Sequence, residues 1–466
     1  MQSYTSQIAD FASSIRLKGV PEAVIARAKG LILDGLGCGL YAADVAWTRI
    51  LAGVVRRLEP KGGQASIWGR GETASAVNAA LVNGTMVQGY ELDDVHPRAA
   101  MHSGAAVLPA AIAAAEYVGT ENVDGERLLM AIIAGFEIGP RIGMCMGREH
   151  MLNNGWHSGA IVAPFPAAIA AVIVLGLDHV RFVHALGIAG TQACGLMAAQ
   201  YGSMVKRMHV GRAAQSGLYG AMLAADGFTG IEDVFEEKYG GFCSTFSHQD
   251  DQFDLPSLAD GLGKEWETLR YDIKTYACRG GNHTSVNAID ELINETGFKA
   301  DEVEEITIGV TGAMVQKGGW PYAPKGLTGA QMHTGFCVAM RIIEGDVFVD
   351  QMVEENVMRP DLVALTNRIR IVRNVERERK GRDYWNGADV EVKLKNGTVL
   401  KKTVDFPVGS EHRPLTSDQM AAKFRRLAGK TLPQEQVSRI EKIIRGLDRE
   451  PSVKPLTAAL RGKSRA

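Results

Sequence analysis

Between positions 91 and 104 the chain reads Glu91-Leu92-Asp93-Asp94-Val95-His96-Pro97 and then Met101-His102-Ser103-Gly104, directly ahead of an Ala-rich apolar run from Ala105 to Val118. Carboxylates and imidazoles this dense, set against so apolar a neighbour, mark a candidate site, and the chemistry they suit is proton transfer. Pro97 and the Ser103-Gly104 pair interrupt any regular period. Asp93 to His102 is therefore expected to be a loop feeding a buried helix, with Ser103 placed to cap that helix and its N-terminus favouring an anion. The competing structural account is that Asp93 or Asp94 caps a helix and that His96 and His102 are surface or satisfied core histidines.

Three further stretches share the mixture. Asn153-Asn154-Gly155-Trp156-His157-Ser158-Gly159 repeats the design of a histidine before Ser-Gly and a buried Ala-rich helix, against the alternative of a capping Ser158 beside a structural His157. Lys206-Arg207-Met208-His209-Val210-Gly211-Arg212 places three cations at the start of a helix whose continuation, Leu218 to Ala225, is apolar. Cations there oppose the helix dipole unless an anion sits between them, whether an anionic substrate or a neighbouring Asp or Glu. Lys274-Thr275-Tyr276-Ala277-Cys278-Arg279-Gly280-Gly281-Asn282-His283 offers a Gly-Gly pair beside Arg279 that could form an anion-binding backbone nest. Cys278 with His283 could be a nucleophile pair, although a lone cysteine is more often a small buried hydrophobe. No H-E-x-x-H, no G-x-G-x-x-G opening a βαβ unit and no G-x-S-x-G elbow occurs. What remains is a set of Asp, His, Lys and Arg residues suited to binding carboxylates and moving protons.

The elements that must position these residues are mostly helical. Apolar residues recur at three and four in Ile8-Phe11-Ile15, Val24-Ala28-Leu31 and Leu128-Ile132-Phe136, and no convincing strand alternation appears before Phe228. Segments 73–87, 105–118, 158–175 and 180–199 are crowded with small residues, as helices inside a bundle require. After Asp250-Asp251-Gln252-Phe253 the character changes: Glu305 to Val310 alternates, and Ala388–Leu394, Asn396-Gly397 and Thr398–Val404 read as a hairpin with a two-residue turn. Helices are expected at 283–295 and 330–343, and Arg368 to Arg382 as a solvated strand end and loop. Helical periodicity returns from Ser417 to Leu447. The fold class is thus mostly α, a large all-helical domain (1–267) carrying an inserted smaller α+β domain (268–405), with residues 406–466 returning to the helical domain.

Composition narrows the function. The 466 residues carry 51 basic and 53 acidic side chains, a balance with no electrostatic footprint for nucleic acid or an anionic membrane, and the basic tail from Arg461 to Arg465 is too short to alter it. The six cysteines are Cys38, Cys145, Cys194, Cys243, Cys278 and Cys337. Scattered without a C-x-x-C pair, they argue against a zinc knuckle or a closely spaced iron-sulfur ligand set and fit a reduced cytosol. The opening residues lack a basic and then apolar leader, so no secretory signal is expected. Only 160–177 approaches membrane length; with Pro164 and Pro166 near its start and no basic flanking loops, it reads as a core helix.

Glu91-Leu92-Asp93-Asp94, His102-Ser103, Gly155-Trp156-His157, Lys206-Arg207 and Lys274-Thr275-Tyr276-Ala277-Cys278, in this order, resemble the MmgE/PrpD family, which contains 2-methylcitrate dehydratases, cis-aconitate decarboxylases and iminodisuccinate epimerases. The similarity runs over nearly the whole chain, including Thr191 to Met197 and the C-terminal hairpin. Asn153 to His157 and the run from Thr191 to Arg207 look more like the cis-aconitate decarboxylase branch, above all its fungal members, than like the enterobacterial dehydratases. The resemblance implies that Asp93, His102, His157, Lys206 and Lys274 line a catalytic site beneath a smaller lid domain, in a homodimer that uses no metal and no cofactor. Asp94, Arg212, Cys278, Arg279, His283 and Phe336 are the candidate substrate-binding residues. Arg279 stands where the vertebrate decarboxylases place a lid histidine, and Phe336 where they place a tyrosine.

The expected function is a cytoplasmic lyase acting on a small di- or tricarboxylate, first cis-aconitate decarboxylation to itaconate. A 2-methylcitrate dehydratase, an epimerase and a non-catalytic carboxylate-binding protein are the alternatives. In the first, Lys206 and Lys274 hold carboxylates, His102 or His157 protonates carbon, and Asp93 orients a histidine. Because no spaced His/carboxylate ligand motif occurs, activity is expected to survive exhaustive chelation; loss with EDTA and recovery with one specific metal would contradict that.

Overall fold

The protein is described here by a computed structural model covering residues 2–247 and 253–462; the Asp250-Asp251-Gln252 transition and the tail beyond 462 lie outside the described residues. The chain is mostly helical, with one two-stranded and one four-stranded sheet.

At the centre stand helices Ala76–Val87, Gly104–Val118, Pro164–Leu175 and Val205–Ala225, buried along most of their lengths. Small residues make this possible by letting backbones approach, and the limiting case is Gly84 against Gly211. A Cβ on Gly84 would lie 2.7 Å from the Gly211 Cα, so only glycine allows this crossing. The crossing sets the height at which the start of the Val205–Ala225 helix enters the core. Around the centre, helix Gly125–Met146 begins on an Asp124 cap (2.7 Å to the Arg127 amide) and helix His179–Gly190 on an Asp178 cap (2.9 Å to the Arg181 amide). Two stretches are long and apolar enough to cross a membrane, Gly125–Met146 and Ser158–Leu175. The apolar window of each is 89% buried inside the protein, which makes both core helices of this fold.

Several boundaries differ from those read in the sequence. The 73–87 segment is not helical at its start: Glu72–Ala74 (β2) pairs antiparallel with Ala65–Ile67 (β1), and each strand is too short for alternation to show. The helix begins at Ala76, where the Glu59 carboxylate accepts from the Ser75 amide (2.7 Å) and hydroxyl (2.6 Å). The 158–175 segment breaks at Ala163, with Pro164 opening the second helix. The 180–199 segment leaves helix after Gly190, because Gly195 and Met197 pair instead with residues 155–157: the His157 amide donates to the Gly195 carbonyl (3.1 Å) and the Met197 amide to that of Gly155 (2.8 Å). The 330–343 segment breaks at His333, whose Nδ1 accepts from the Phe336 amide (3.0 Å) and caps helix Thr334–Glu344.

The four-stranded sheet, ordered β4-β3-β5-β6, joins Val303–Val310 (β3), Ile369–Arg373 (β4), Ala388–Leu394 (β5) and Val399–Val404 (β6); β3 runs parallel to β4 and the other pairs are antiparallel. The β5–β6 turn holds three residues rather than two: the Leu394 amide donates to the Thr398 carbonyl (2.8 Å), and Gly397, at φ 87°, supplies the left-handed position. The charge-dense 368–382 stretch is only partly solvated, since Arg377 is buried with its guanidinium on Asp389 (2.7 Å) and Asp405 (2.9 Å).

Helix Ser417–Ala428 opens on a Thr416/Gln419 capping box and packs on helix Glu22–Tyr41, where Gly37 faces the Phe424 backbone. Helix Leu327–Met332 meets the start of Val205–Ala225 through Thr328 and Gln331, which both accept from Arg207. These two approaches bring the α+β part and the C-terminal segment to one place in the helical part.

Candidate active site

After helix Ala76–Val87 and one turn of 3₁₀ helix, the chain reverses at Glu91, which sits in the left-handed region at φ 55°, ψ 33°. This conformation is uncommon outside glycine, and here it turns a fully enclosed carboxylate toward three cations. Glu91 Oε1 accepts from Lys206 Nζ and from Arg207 Nη1 (2.6 Å), and its Oε2 lies 3.8 Å from Lys274 Nζ. Arg207 also donates to Thr328 Oγ1 (2.9 Å) and Gln331 Oε1 (2.8 Å), while the Gln331 amide nitrogen donates to the carbonyls of Tyr90 (3.0 Å) and Ala277 (2.9 Å). The α+β part is thereby joined to the helical part at the cluster itself. Burial works against the charge on Glu91, but Lys206, Arg207 and Lys274 outweigh it and hold the carboxyl well below its usual range. Lys206 is pulled down by burial, only partly offset by Glu91, because Arg207 and Lys274 crowd the same carboxylate.

Asp93 connects this group to the first histidine. Its Oδ2 lies 3.0 Å from His102 Nδ1 and its Oδ1 3.6 Å from Lys274 Nζ. His102 Nδ1 is also 2.8 Å from the Asp94 carbonyl oxygen, which can only accept, so Nδ1 carries the proton and Nε2 is the atom left for other partners. Burial raises the Asp93 carboxyl, yet His102 and Lys274 more than reverse it, and Asp93 stays ionised. Burial likewise opposes the charge of Lys274, and Asp93 and Glu91 overcome it to hold the ammonium above its ordinary value. Lys274 Nζ is nevertheless fully enclosed without a hydrogen-bond acceptor.

Asp94 does something else. Its carboxyl accepts from the Gly104 amide (3.1 Å), and a side chain on Gly104 would collide with it. Asp94 therefore caps helix Gly104–Val118 in place of Ser103, whose hydroxyl bonds the Tyr271 phenol. Burial, then Asp93 and Asp34, drive the Asp94 carboxyl well above its usual range. Beneath the loop, Lys423 from the C-terminal helix pairs with Asp34 and donates to the Leu92 carbonyl (2.7 Å).

The second histidine has a different companion. His157 Nδ1 lies 3.2 Å from His209 Nδ1, so of these two nitrogens one donates and the other accepts. Burial, then Lys206, His209 and His102, keep His157 neutral far below its ordinary range, and burial with Lys206 takes His209 to about 4. Ser158 does not cap its helix; its hydroxyl donates to the Ala100 carbonyl (2.7 Å).

Asp93, His102, His157, Lys206 and Lys274, all predicted from the sequence, thus gather around Glu91. The remaining candidates divide. His283 is buried next to Tyr276, held neutral at about 3 by burial and Lys274, with Nε2 lacking a partner. Cys278 is buried with its thiol pushed up by burial and by Cys337, the opposite of an activated nucleophile. Arg279 donates to Asn282 (3.0 Å), and Phe336 stacks on Tyr322 at 5.0 Å in the α+β part. Arg212 is not brought to the cluster: it is exposed and bonds Gln215. His96 is structural, paired with Glu267 at 2.9 Å.

Glu91, Arg207 and His209 stand in the stretches the sequence singled out but without a catalytic or substrate-binding role of their own, and Thr328, Gln331, Asp34 and Lys423 were not singled out. Lys423 had a legible signal, since it falls between Met420 and Leu427 on the apolar face of its helix, where a cation needs a reason. Among the described residues no three His, Cys, Asp or Glu side chains converge as a metal ligand set.

Residues 6–254 match the family model for the MmgE/PrpD N-terminal domain and residues 276–449 that for the MmgE/PrpD C-terminal domain. The second match extends over the C-terminal helices that pack back on the helical part. The chain is 34% identical to a cis-aconitate decarboxylase-like protein, oryM, of Aspergillus oryzae (98% of this chain, 97% of the relative). It is 34% identical to a cis-aconitate decarboxylase of Aspergillus terreus (98% and 95%) and 25% identical to that of Mus musculus (100% and 94%).

The two buried carboxyls at 91 and 94 make opposite contributions to stability. Glu91, depressed in the fold, stabilises at pH above its unfolded value and loses that contribution as pH falls through its folded one; Asp94, raised in the fold, costs stability above its unfolded value. At pH 7, Glu91→Gln is expected to lower unfolding free energy in urea by on the order of 3 kcal/mol, since it strands buried cations. Asp94→Asn is expected to cost nothing or to stabilise. An Asn variant less stable than the Gln variant would contradict this electrostatic assignment.

Proposed function

This chain belongs to the MmgE/PrpD family, and from that premise we propose that it is a lyase that decarboxylates cis-aconitate to itaconate. The observation that carries the reading is Lys274: an enclosed ammonium with no hydrogen-bond acceptor, 3.6 and 3.8 Å from the nearest carboxylate oxygens. Three cations, Lys206, Arg207 and Lys274, face two ionised carboxylates, Glu91 and Asp93. A bound carboxylate completes both the charge balance and the hydrogen bonding.

In this reading Lys206 and Lys274 hold substrate carboxylates. Carbon dioxide leaves from the carboxymethyl arm, and the electron pair of the broken bond becomes a new methylene double bond. The pair of the old double bond moves to the carbon bearing the other terminal carboxylate. That carbon takes up one proton, which balances cis-aconitate and a proton against itaconate and carbon dioxide. His102 or His157 supplies the proton, and Asp93 orients His102. The α+β part acts as a lid over the departing carboxylate, with the Phe336–Tyr322 stack as part of a low-polarity wall.

His102→Ala and His157→Ala are each expected to lower turnover by about two to four orders of magnitude with melting temperature unchanged. Product NMR of the wild type should show itaconate. If the protein instead dehydrates 2-methylcitrate, exchanges an α-hydrogen in deuterated water without losing carbon, or binds carboxylates without turnover, the decarboxylase reading is wrong.

We also propose a homodimer in the cytoplasm. Ile50, Val54 and Leu58 form an exposed apolar stripe along helix Ala46–Leu58 that a second copy would cover. Light scattering should give twice the 50.2 kDa chain mass, and a monomer at micromolar concentration would refute the assembly.

A further inference from the structure

The two histidines of the site have unlike supports. His102 Nδ1 faces the ionised Asp93 carboxylate at 3.0 Å, whereas His157 Nδ1 faces a second imidazole, His209, at 3.2 Å. A carboxylate behind an imidazole stabilises its protonated form; a neutral imidazole does not do so with any net charge. The surroundings reinforce the difference. The charged and titratable groups facing His157 are Lys206 and His209 on helix Val205–Ala225, His102 from the loop before Gly104–Val118, and Glu91 from the turn ahead of it. The Gly195–Met197 segment, paired with residues 155–157, adds no charge.

We propose that His209 is a positioning residue: its Nδ1–H donates to His157 Nδ1, fixing His157 as a neutral imidazole whose Nε2–H binds a substrate carboxylate and leaving His102 to protonate carbon. The direction of the bond follows from the ligand. A carboxylate offers only acceptors, so the other ring nitrogen of His157 must be the donor, which makes its Nδ1 the acceptor and His209 Nδ1 the donor. Two imidazoles with unlike partners, a carboxylate behind one and an imidazole behind the other, then take different duties: one moves the proton and the other stays a fixed donor. At carbon, the His102 imidazolium gives up its Nε2 proton and keeps its Nδ1–H on the Asp94 carbonyl beside the Asp93 carboxylate, and solvent reprotonates Nε2 after product leaves. His157 and His209 exchange no proton in the cycle. This division of roles rests on the decarboxylase reading.

Nitrogen-15 NMR of the full-length wild type at pH 7 should find His157 neutral with its proton on Nε2; an imidazolium, or a proton on Nδ1, overturns the proposal. Because this measurement needs no turnover, its failure is separable from failure of wild-type protein to convert cis-aconitate, which would take the reaction assignment down instead. In variants, His209→Asn keeps an amide donor at the same place and should retain kcat within about threefold, while His209→Ala should lose about tenfold to a hundredfold. His209→Asp puts a carboxylate behind His157, and its pH–rate profile should move to higher pH, where His157 regains neutrality. Equal loss in the Asn and Ala variants with an unshifted Asp profile would reduce His209 to packing, and a more active Asp variant at neutral pH would show that His157 works as a cation.

Discussion

Burying a charge costs several kcal/mol unless other charges and hydrogen bonds replace the water it loses, and at this site that constraint centres on one carboxylate. Glu91 is enclosed by a left-handed turn, and what surrounds it is drawn from distant parts of the chain: Lys206 and Arg207 from the start of one helix, Lys274 from the entry to the α+β part. Each of these cations is itself buried and depends on Glu91 for part of its charge compensation. The relation is mutual, and it explains why three long polar side chains can end inside a helical core. Thr328 and Gln331 accept from the Nη2 of Arg207, which ties the α+β part to the site by hydrogen bonds rather than by apolar contact alone.

The scaffold serves that cluster by controlling depth. Gly84 against Gly211 sets where the Val205–Ala225 helix begins relative to the turn at Glu91, and Gly104 allows the Asp94 carboxyl to sit on the helix start behind the site. Lys423, reaching from the C-terminal helix to Asp34 and the Leu92 carbonyl, holds the loop from below. The loop that carries Asp93 and His102 is therefore fixed on three sides, and its neighbouring carboxyls are driven in opposite directions. Asp93 is held low because His102 and Lys274 face it; Asp94, one residue on, is driven up by burial and by Asp93 and Asp34, which outweigh the Gly104 amide and Lys274. Preorganisation of this kind is what a site needs if developing charge is to be met without rearrangement.

The same logic separates the histidines. A carboxylate stands behind one and an imidazole behind the other, and the cation Lys206 lies near the second. Chemically they are identical side chains, and in sequence both precede Ser-Gly and a small-residue helix. Only their neighbours make one suited to carrying a proton and the other suited to donating a hydrogen bond without charge.

Much of this was legible in one dimension, and for physical reasons. Period and small-residue content identified the core helices, because a helix inside a bundle must be apolar around its circumference. Alternation at 305–310 and Asn396-Gly397 identified the sheet and its hairpin; the density of Asp, His, Lys and Arg marked the candidate stretches, and the family resemblance singled out Asp93, His102, His157, Lys206 and Lys274 within them. Local pattern did not determine ends and partners. The short β1–β2 pair, the break at His333 and the extended 191–197 segment are decided by hydrogen bonds to residues far away in sequence. Asp93 and Asp94 are adjacent and alike as letters, yet one carboxyl is held below its ordinary range and the other driven well above it. Arg207 and Arg212 share one helix, yet one is buried on Glu91 and the other faces solvent. A sequence specifies which groups can ionise or bond; which of them do depends on burial and on the charges within a few ångströms, and those are set only when the chain has packed.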